Sequence, residues 1–167
     1  MEVIFVSADS RSRGTLRLYK NGQYIFKAPC FLGKNGISAH KREGDLKTPS
    51  GIFEITAAFG IAENPGTALK YIRIAPDTLL CDDPLSENYN KIINSASESG
   101  EKMFEYKTEY LYGAVIGYNT ECVPYRGSGI FLHCSAGVST SGCVAVEKEL
   151  LVLILKKLTK NSVIIIN

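Results

Sequence analysis

The chain has 167 residues, of which 45% are hydrophobic and 22% charged, and its formal net charge is +2. This length and composition suit a single globular domain over 1–167. A nearly neutral charge with scattered Lys and Arg gives no support to nucleic-acid binding. No apolar run approaches the roughly 20 residues of a membrane-spanning helix, so we expect no stable membrane insertion. The sequence leaves the oligomeric state open.

Short strands dominate the predicted elements of the first half. The turn signal Asn21-Gly22 predicts a hairpin over 16–27. The segment 33–51 is rich in Gly and contains the charged run 40–45, which predicts a long exposed loop. Strands are predicted at the apolar runs 1–6, 16–19, 24–27, 52–55 and 71–74.

The second half adds buried strands and one helix. From about Ala145 the pattern becomes helical, with acidic residues first and lysines last, as the helix dipole favours. Together the elements predict a mainly β domain with minor α. The remaining elements are a short helix or loop at 86–93, a polar surface loop at 94–102, and strands at 111–118, 130–132 and 163–166.

A histidine and a cysteine with complementary chemistry lie ten positions apart. His133 follows the apolar run 129–132, and Cys143 follows a loop rich in Gly, Ser and Thr. A thiol with a pKa of about 8.5 is mostly protonated at neutral pH, and a nearby imidazole or helix start lowers that value. We expect both effects at Cys143, with the amides of Gly142 and Cys143 facing a developing oxyanion. A structural thiol and a core histidine are the alternatives.

The same two residues belong to a series of segments that occur in a fixed order. It begins with 41–53, which contains Gly44-Asp45 and Thr48-Pro49, and continues through 82–90 and 116–119. It ends with 127–133 followed by Thr140, Gly142 and Cys143. In this order the segments resemble the L,D-transpeptidase catalytic domain of bacterial peptidoglycan enzymes, in a branch with a Thr-x-Gly-Cys-Val-Ala motif.

This resemblance implies a fold, a reaction and a partner. The fold is a single L,D-transpeptidase-like β-sandwich domain with one main helix after the catalytic cysteine. Cys143 is the expected nucleophile and His133 its base, acting on peptidoglycan stem peptides with no metal and no cofactor. Attack by Cys143 is expected to release the terminal D-Ala and to leave a thioester acyl-enzyme. A second stem peptide then attacks the thioester and forms a 3-3 cross-link. Such work on the cell wall implies an extracytoplasmic location, assuming that a leader or anchor is absent from this chain.

The resemblance also suggests supporting residues, each with a plainer alternative. For the substrate residues the alternative is ordinary polarity at strand ends. We expect His40 to be solvated, and Asp45 and Thr48 to brace their loop. The expected oxyanion and positioning residues are Thr140, Ser141, Gly142 and Cys134, and the expected substrate residues are Tyr118, Asn119, Arg126 and Ser128.

The sequence departs from the commonest family pattern, Ser-His-Gly-Cys followed two residues later by Arg. Ser141 and Ala145 occupy the positions of that second histidine and of the arginine. The departures leave an L,D-carboxypeptidase open, which trims tetrapeptide stems to tripeptides. A further alternative that they leave open is a non-catalytic module that binds wall peptides or holds a metal. Two finer alternatives are a disulfide between Cys134 and Cys143, and a metal held by His133, Cys134, Cys143 and Cys122.

Overall fold

The computed structural model describes residues 1–167 and consists mainly of β-strands. It has one α-helix, α1 (Lys148–Leu155), and two 3-10 helices, Met103–Glu105 and Glu109–Leu111. The strands are β1 (Glu2–Ala8), β2 (Arg13–Lys20), β3 (Gln23–Phe31), β4 (Ile37–Ser38), β5 (Thr48–Pro49), β6 (Gly51–Gly60), β7 (Tyr71–Arg73), β8 (Thr78–Leu80), β9 (Ile92–Asn94), β10 (Glu101–Lys102), β11 (Gly113–Ile116), β12 (Phe131–Cys134), β13 (Val144–Val146) and β14 (Val163–Ile166).

Nine strands form one sheet in the order β11-β12-β13-β3-β2-β1-β14-β6-β7. Because β11 also pairs with β6, the sheet closes on itself. Two smaller units, β10-β8-β9 and β4-β5, lie outside it. The expected mainly β fold with one main helix after Cys143 is confirmed.

The hairpin of β2 and β3 turns at Asn21 and Gly22, as the sequence predicts. Both residues have positive φ, 50° and 78°, which is the conformation that a two-residue hairpin turn requires. Lys20 pairs with Gln23 beside the turn. The hairpin is longer than the predicted 16–27 because both strands continue to Arg13 and Phe31.

The main core lies between the strands of the closed sheet and α1. It contains 22 buried residues, among them the inward-facing side chains of β1 and β2. Helix α1 contributes Leu151, Ile154 and Leu155, which share one helical face at spacings of three and four residues. All three are fully buried.

Strand β12 is covered on both faces, which explains why all four of its residues are buried. Leu132 and Cys134 point into the main core. Phe131, on the other face, packs with Phe59, Tyr110 and other residues in a second cluster of seven. Because successive strand residues alternate between faces, His133 shares the second face with Phe131.

The helix begins later than the sequence predicts, at Lys148 rather than near Ala145. Residues 144–146 instead form β13, parallel to β12, and all three are buried. The two valines of this strand favour β structure and point into the main core. Cys143 therefore precedes a strand, and the expected effect of a helix start on its pKa is absent.

Two predicted surface loops carry charged residues that other elements cover, fully at Lys41 and partly at Glu101. In the segment 33–51, Lys41 is only 7% exposed. In the segment 94–102, Glu101 belongs to β10, which pairs with β8. Both errors have the same cause, since composition alone does not reveal which face of a polar segment other elements cover.

Candidate active site

The side chains of His133 and Cys143 emerge on the same face of neighbouring strands. His133 pairs with Ala145 in the parallel register of β12 and β13, so Cys143 lies two positions earlier, beside Phe131. Two positions correspond to about 6.6 Å along a strand, and residues two apart share a face. Both side chains line one cleft of about 390 Å³.

The Cys143 thiol is buried and hydrogen-bonded to backbone. Sγ donates to the Gly129 carbonyl at 3.2 Å and accepts from the Phe131 N–H at 3.3 Å. Burial, with a smaller contribution from the charge of Glu101, raises the pKa of the thiol to about 12. The Phe131 hydrogen bond and the charge of Lys41 act in the opposite direction. At neutral pH the sulfur is therefore a protonated thiol.

The His133 ring is held in one orientation. Its Nδ1 lies 2.8 Å from the Cys134 carbonyl oxygen, which can only accept, so Nδ1 carries the hydrogen. In the neutral ring, Nε2 then carries the lone pair. Burial lowers the pKa of His133 below its ordinary value, against the hydrogen bond to Cys134 and the charge of Glu109. The imidazole also packs edge-to-face against the Tyr110 ring, with the ring centroids 5.7 Å apart and the planes at 90°, which fixes its orientation further.

No hydrogen bond joins the Cys143 thiol to the His133 ring. The direct pairing expected from the sequence is thus replaced at rest by two separate attachments to backbone. Both groups are neutral, so the site holds a thiol and a free base rather than a thiolate–imidazolium pair. Transfer of the thiol proton to His133 requires Sγ–H to leave the Gly129 carbonyl.

Two threonine hydroxyls fix the backbone at Cys143. Thr140 Oγ1 donates to the Cys143 carbonyl at 2.6 Å, and Thr48 Oγ1 donates to the same oxygen at 3.5 Å. Thr48 also accepts from the Gly33 N–H at 2.8 Å, which ties it to the segment that follows β3. The positioning expected of Thr140 and the bracing expected of Thr48 both agree with this geometry. Ser141 is exposed and lines the cleft.

Only glycine fits at position 142. Its φ is +152°, and a Cβ there would lie 2.9 Å from the Lys47 carbonyl oxygen. The Gly142 N–H donates to Thr140 Oγ1 at 3.1 Å. The Cys143 N–H has no acceptor within the chain. Of the two expected oxyanion donors, the amide of Cys143 is therefore the free one.

Of the four expected substrate residues, only Ser128 lines the cleft. Asn119 Nδ2 donates to the Gly127 carbonyl at 2.9 Å, and the Tyr118 hydroxyl donates to the Arg126 carbonyl at 2.8 Å. The Arg126 guanidinium is exposed and lies 3.9 Å from a carboxylate oxygen of Glu121. These three residues brace the loop that leads to Ser128.

The Cys134 side chain points away from the cleft. Its sulfur lies in the main core, 3.6 Å from the Tyr112 carbonyl, and burial raises its pKa to about 11. A disulfide with Cys143 would have to cross the sheet, and all five cysteines are free thiols. No group of three His, Cys, Asp or Glu residues is close enough to hold a metal, which removes the support for the metal-binding alternative. The Cys134 carbonyl, by contrast, orients His133.

Lys41, Glu101 and Tyr110 are among the cleft residues that the sequence analysis did not single out. The Tyr110 hydroxyl donates to the Glu101 carboxylate. Burial raises the pKa of Glu101, and it raises that of Tyr110 well above the ordinary value. The only available signal was for Lys41, which lies in the Lys-Arg-Glu-Gly-Asp run of the first resembling segment.

The model of the YkuD family, the L,D-transpeptidase catalytic domain, matches residues 2–166. The chain belongs to the YkuD family. Enzymes of this family act on peptidoglycan stem peptides. A search of curated protein sequences found no match to the chain.

Solved structures share the fold of this chain. L,D-transpeptidase 1 of Mycobacterium tuberculosis aligns over 99% of this chain with a TM-score of 0.50 and 18% identity. The Enterococcus faecium L,D-transpeptidase C442S mutant aligns over 99% of this chain with a TM-score of 0.53 and 12% identity. The helical cell shape determining protein Pgp2 of Campylobacter jejuni aligns over 99% of this chain with a TM-score of 0.51 and 15% identity. The chain spans 60%, 49% and 47% of those three structures.

No helix of the structure is both long enough and apolar enough to cross a membrane.

Proposed function

We propose that this chain catalyses acyl transfer on peptidoglycan stem peptides, with Cys143 as nucleophile and His133 as general base and acid. The observation that carries the proposal is that both side chains line one cleft, with His133 in β12 and Cys143 directly before the neighbouring strand β13. Membership of the YkuD family supplies the substrate class. Because that substrate is cell-wall material, we also propose an extracytoplasmic site of action.

The acylation step follows from the protonation states. A thiol whose pKa is about 12 does not ionise spontaneously at neutral pH, so its proton must move as the sulfur attacks. Nε2 of neutral His133 takes that proton while Sγ bonds to the carbonyl carbon of the third stem residue. The Cys143 N–H, which has no acceptor within the chain, donates to the resulting oxyanion.

Collapse of this intermediate breaks the C–N bond to the terminal D-Ala. His133 returns its proton to the leaving amine, and a thioester remains on Cys143. The side-chain amine of a second stem then attacks the thioester, His133 accepts its proton, and the thiol is restored with a 3-3 cross-link. Water as the acceptor instead gives a carboxypeptidase.

Product analysis tests the proposal. We expect purified protein with a disaccharide-tetrapeptide to release D-Ala and form a cross-linked dimer, detected by liquid chromatography and mass spectrometry. Tripeptide alone would favour the carboxypeptidase. Absence of D-Ala release, from protein whose Cys143 is reduced, would contradict both. A carbapenem provides a second measurement, with an expected covalent adduct on Cys143.

A further inference from the structure

Lys41 is the only lysine or arginine that lines the cleft. Its side chain is 4% exposed, although lysine is among the residues least often buried. The proposed acyl transfer gives it no role. A buried ammonium at this position therefore requires an explanation of its own.

The ammonium group has one hydrogen-bond donor left over. Lys41 Nζ donates to Asp45 Oδ1 at 2.5 Å and to the Arg42 carbonyl at 2.9 Å. An ammonium group carries three donors, so one N–H has no partner within the chain. The Lys41 side chain runs close to the backbone beside the thiol, since its Cε would lie 3.5 Å from a Cβ on Gly142. Its charge also acts to lower the pKa of Cys143, against the larger rise that burial causes.

Asp45 fixes the position of the Lys41 ammonium but accepts only one of its three N–H donors. Burial acts to raise the pKa of Asp45, but hydrogen bonds from Lys41 and from the amides of Arg42 and Lys47 lower it on balance. Those two amides lie 2.7 and 2.9 Å from the carboxylate oxygens. The carboxylate is thus stabilised partly by backbone, which leaves Lys41 able to share its charge with a second anion.

The donor stem of the proposed reaction brings such an anion close to the thiol. In a tetrapeptide stem the leaving D-Ala carries the terminal carboxylate, whose carbon is separated from the attacked carbonyl carbon by one nitrogen and one Cα. Three bonds of this kind span at most about 4 Å. A residue that recognises this carboxylate must therefore lie beside the nucleophile, as Lys41 does. In a stem one residue longer, a neutral amide occupies the same place.

We propose that Lys41, oriented by Asp45, binds the terminal carboxylate of the donor stem and so selects stems whose attacked bond precedes the last residue. The inference rests on the proposed function and names a specificity-determining residue for it. The other charged groups of the cleft do not compete for this role, because they are carboxylates, at Glu43, Asp82, Glu101 and Glu109. A charge-assisted hydrogen bond of this kind accounts for about a tenfold preference.

Two donor peptides test the inference: the tetrapeptide stem with a free terminal carboxylate and the same stem ending in a carboxamide. We measure kcat/KM for release of the last residue. The unmodified protein should prefer the free acid by about tenfold. In Lys41→Met the rate with the free acid should fall to that with the carboxamide, while the carboxamide rate changes less than about threefold. Lys41→Arg should keep the preference.

Asp45→Asn provides a second variant that retains the ammonium. It should keep the preference for the free acid, because the side-chain oxygen of Asn can still accept from Lys41 Nζ and orient the ammonium. An equal preference in the unmodified protein and Lys41→Met would overturn the inference while leaving the acyl transfer standing. So would a preference that follows the side-chain carboxylate of the third residue, examined with a stem amidated there. If the unmodified protein cleaves neither peptide, the proposed function fails and the inference with it.

Discussion

Cys134 and Cys143 are both buried thiols, yet they lie on opposite faces of one pair of strands. Their relative exposures are 1% and 9%, and burial raises their pKa values to about 11 and about 12. Cys134 points into the main core, whereas Cys143 shares the cleft with His133. Neither burial nor pKa distinguishes these thiols. The face of the sheet does, because it decides whether a substrate and a base reach the sulfur.

The largest expected effect separates the two cysteines directly. Cys143→Ala should lower D-Ala release by at least about 10³-fold, because the covalent step loses its nucleophile. Cys134→Ala should retain activity within about threefold and instead lower the free energy of unfolding by about 1 kcal/mol, measured by urea denaturation. Equal losses of activity in both variants would show that the faces of the sheet do not divide the roles.

The two histidines of the chain offer a second, smaller contrast. His133→Gln should lower kcat/KM by about 10²- to 10⁴-fold, since it removes the group that accepts the thiol proton. His40→Gln, at an exposed position outside the cleft, should leave it unchanged. Steady-state D-Ala release measures both. Full activity in His133→Gln would exclude the ring as the base.

The loop before Cys143 contains two glycines with positive φ but different surroundings. An alanine Cβ at Gly142 would meet the Lys47 carbonyl oxygen at 2.9 Å, whereas one at Gly137 would meet nothing within 4 Å. Gly137→Ala should lower the free energy of unfolding by about 1 kcal/mol through its backbone alone. Gly142→Ala should lower it by at least about 1 kcal/mol more and reduce D-Ala release. Urea unfolding compares the two, and equal losses would contradict the close contact.

The smallest expected effect is a displacement along the pH axis. Because burial lowers the pKa of His133, the ring stays neutral to a pH below its ordinary 6.5, and the acid limb of kcat/KM should have its midpoint below that value. The neutral ring also favours the folded state. Its contribution to stability should therefore be present above pH 6.5 and be lost as pH falls towards the folded pKa. A midpoint at or above 6.5 would contradict this, and His133→Gln should remove the stability component.

Local patterns in the sequence identified much of the fold. The turn at Asn21-Gly22 fixed a hairpin, and the final strand lies at Val163–Ile166 as predicted. The prediction that the helix starts near Ala145 was wrong for a long-range reason, because parallel pairing with β12 holds Val144–Val146 as a strand. A helical interpretation of acids followed by leucines contains no information about that partner.

The candidate site divides in the same way. The ordered motifs identified Cys143, His133, Thr140 and Gly142, and all four line the cleft. The roles expected of Tyr118, Asn119 and Arg126 depended on how a loop folds back, and their hydrogen bonds direct them to that loop instead. Glu101 and Tyr110 reach the site from a separate small sheet and a 3-10 helix. Such contacts between distant segments leave no local pattern.

The sequence alone therefore predicted which sulfur and which ring to pair, because Cys143 and His133 both belong to the ordered series of segments that resembles one family. Only the tertiary structure decided the state of that pair. The closed sheet buries both groups, keeps the thiol protonated on the Gly129 carbonyl and leaves the imidazole neutral. It also brings the Lys41 ammonium from a distant loop to the same cleft. Burial and charge depend on everything that surrounds a group, and that surrounding exists only in the folded chain.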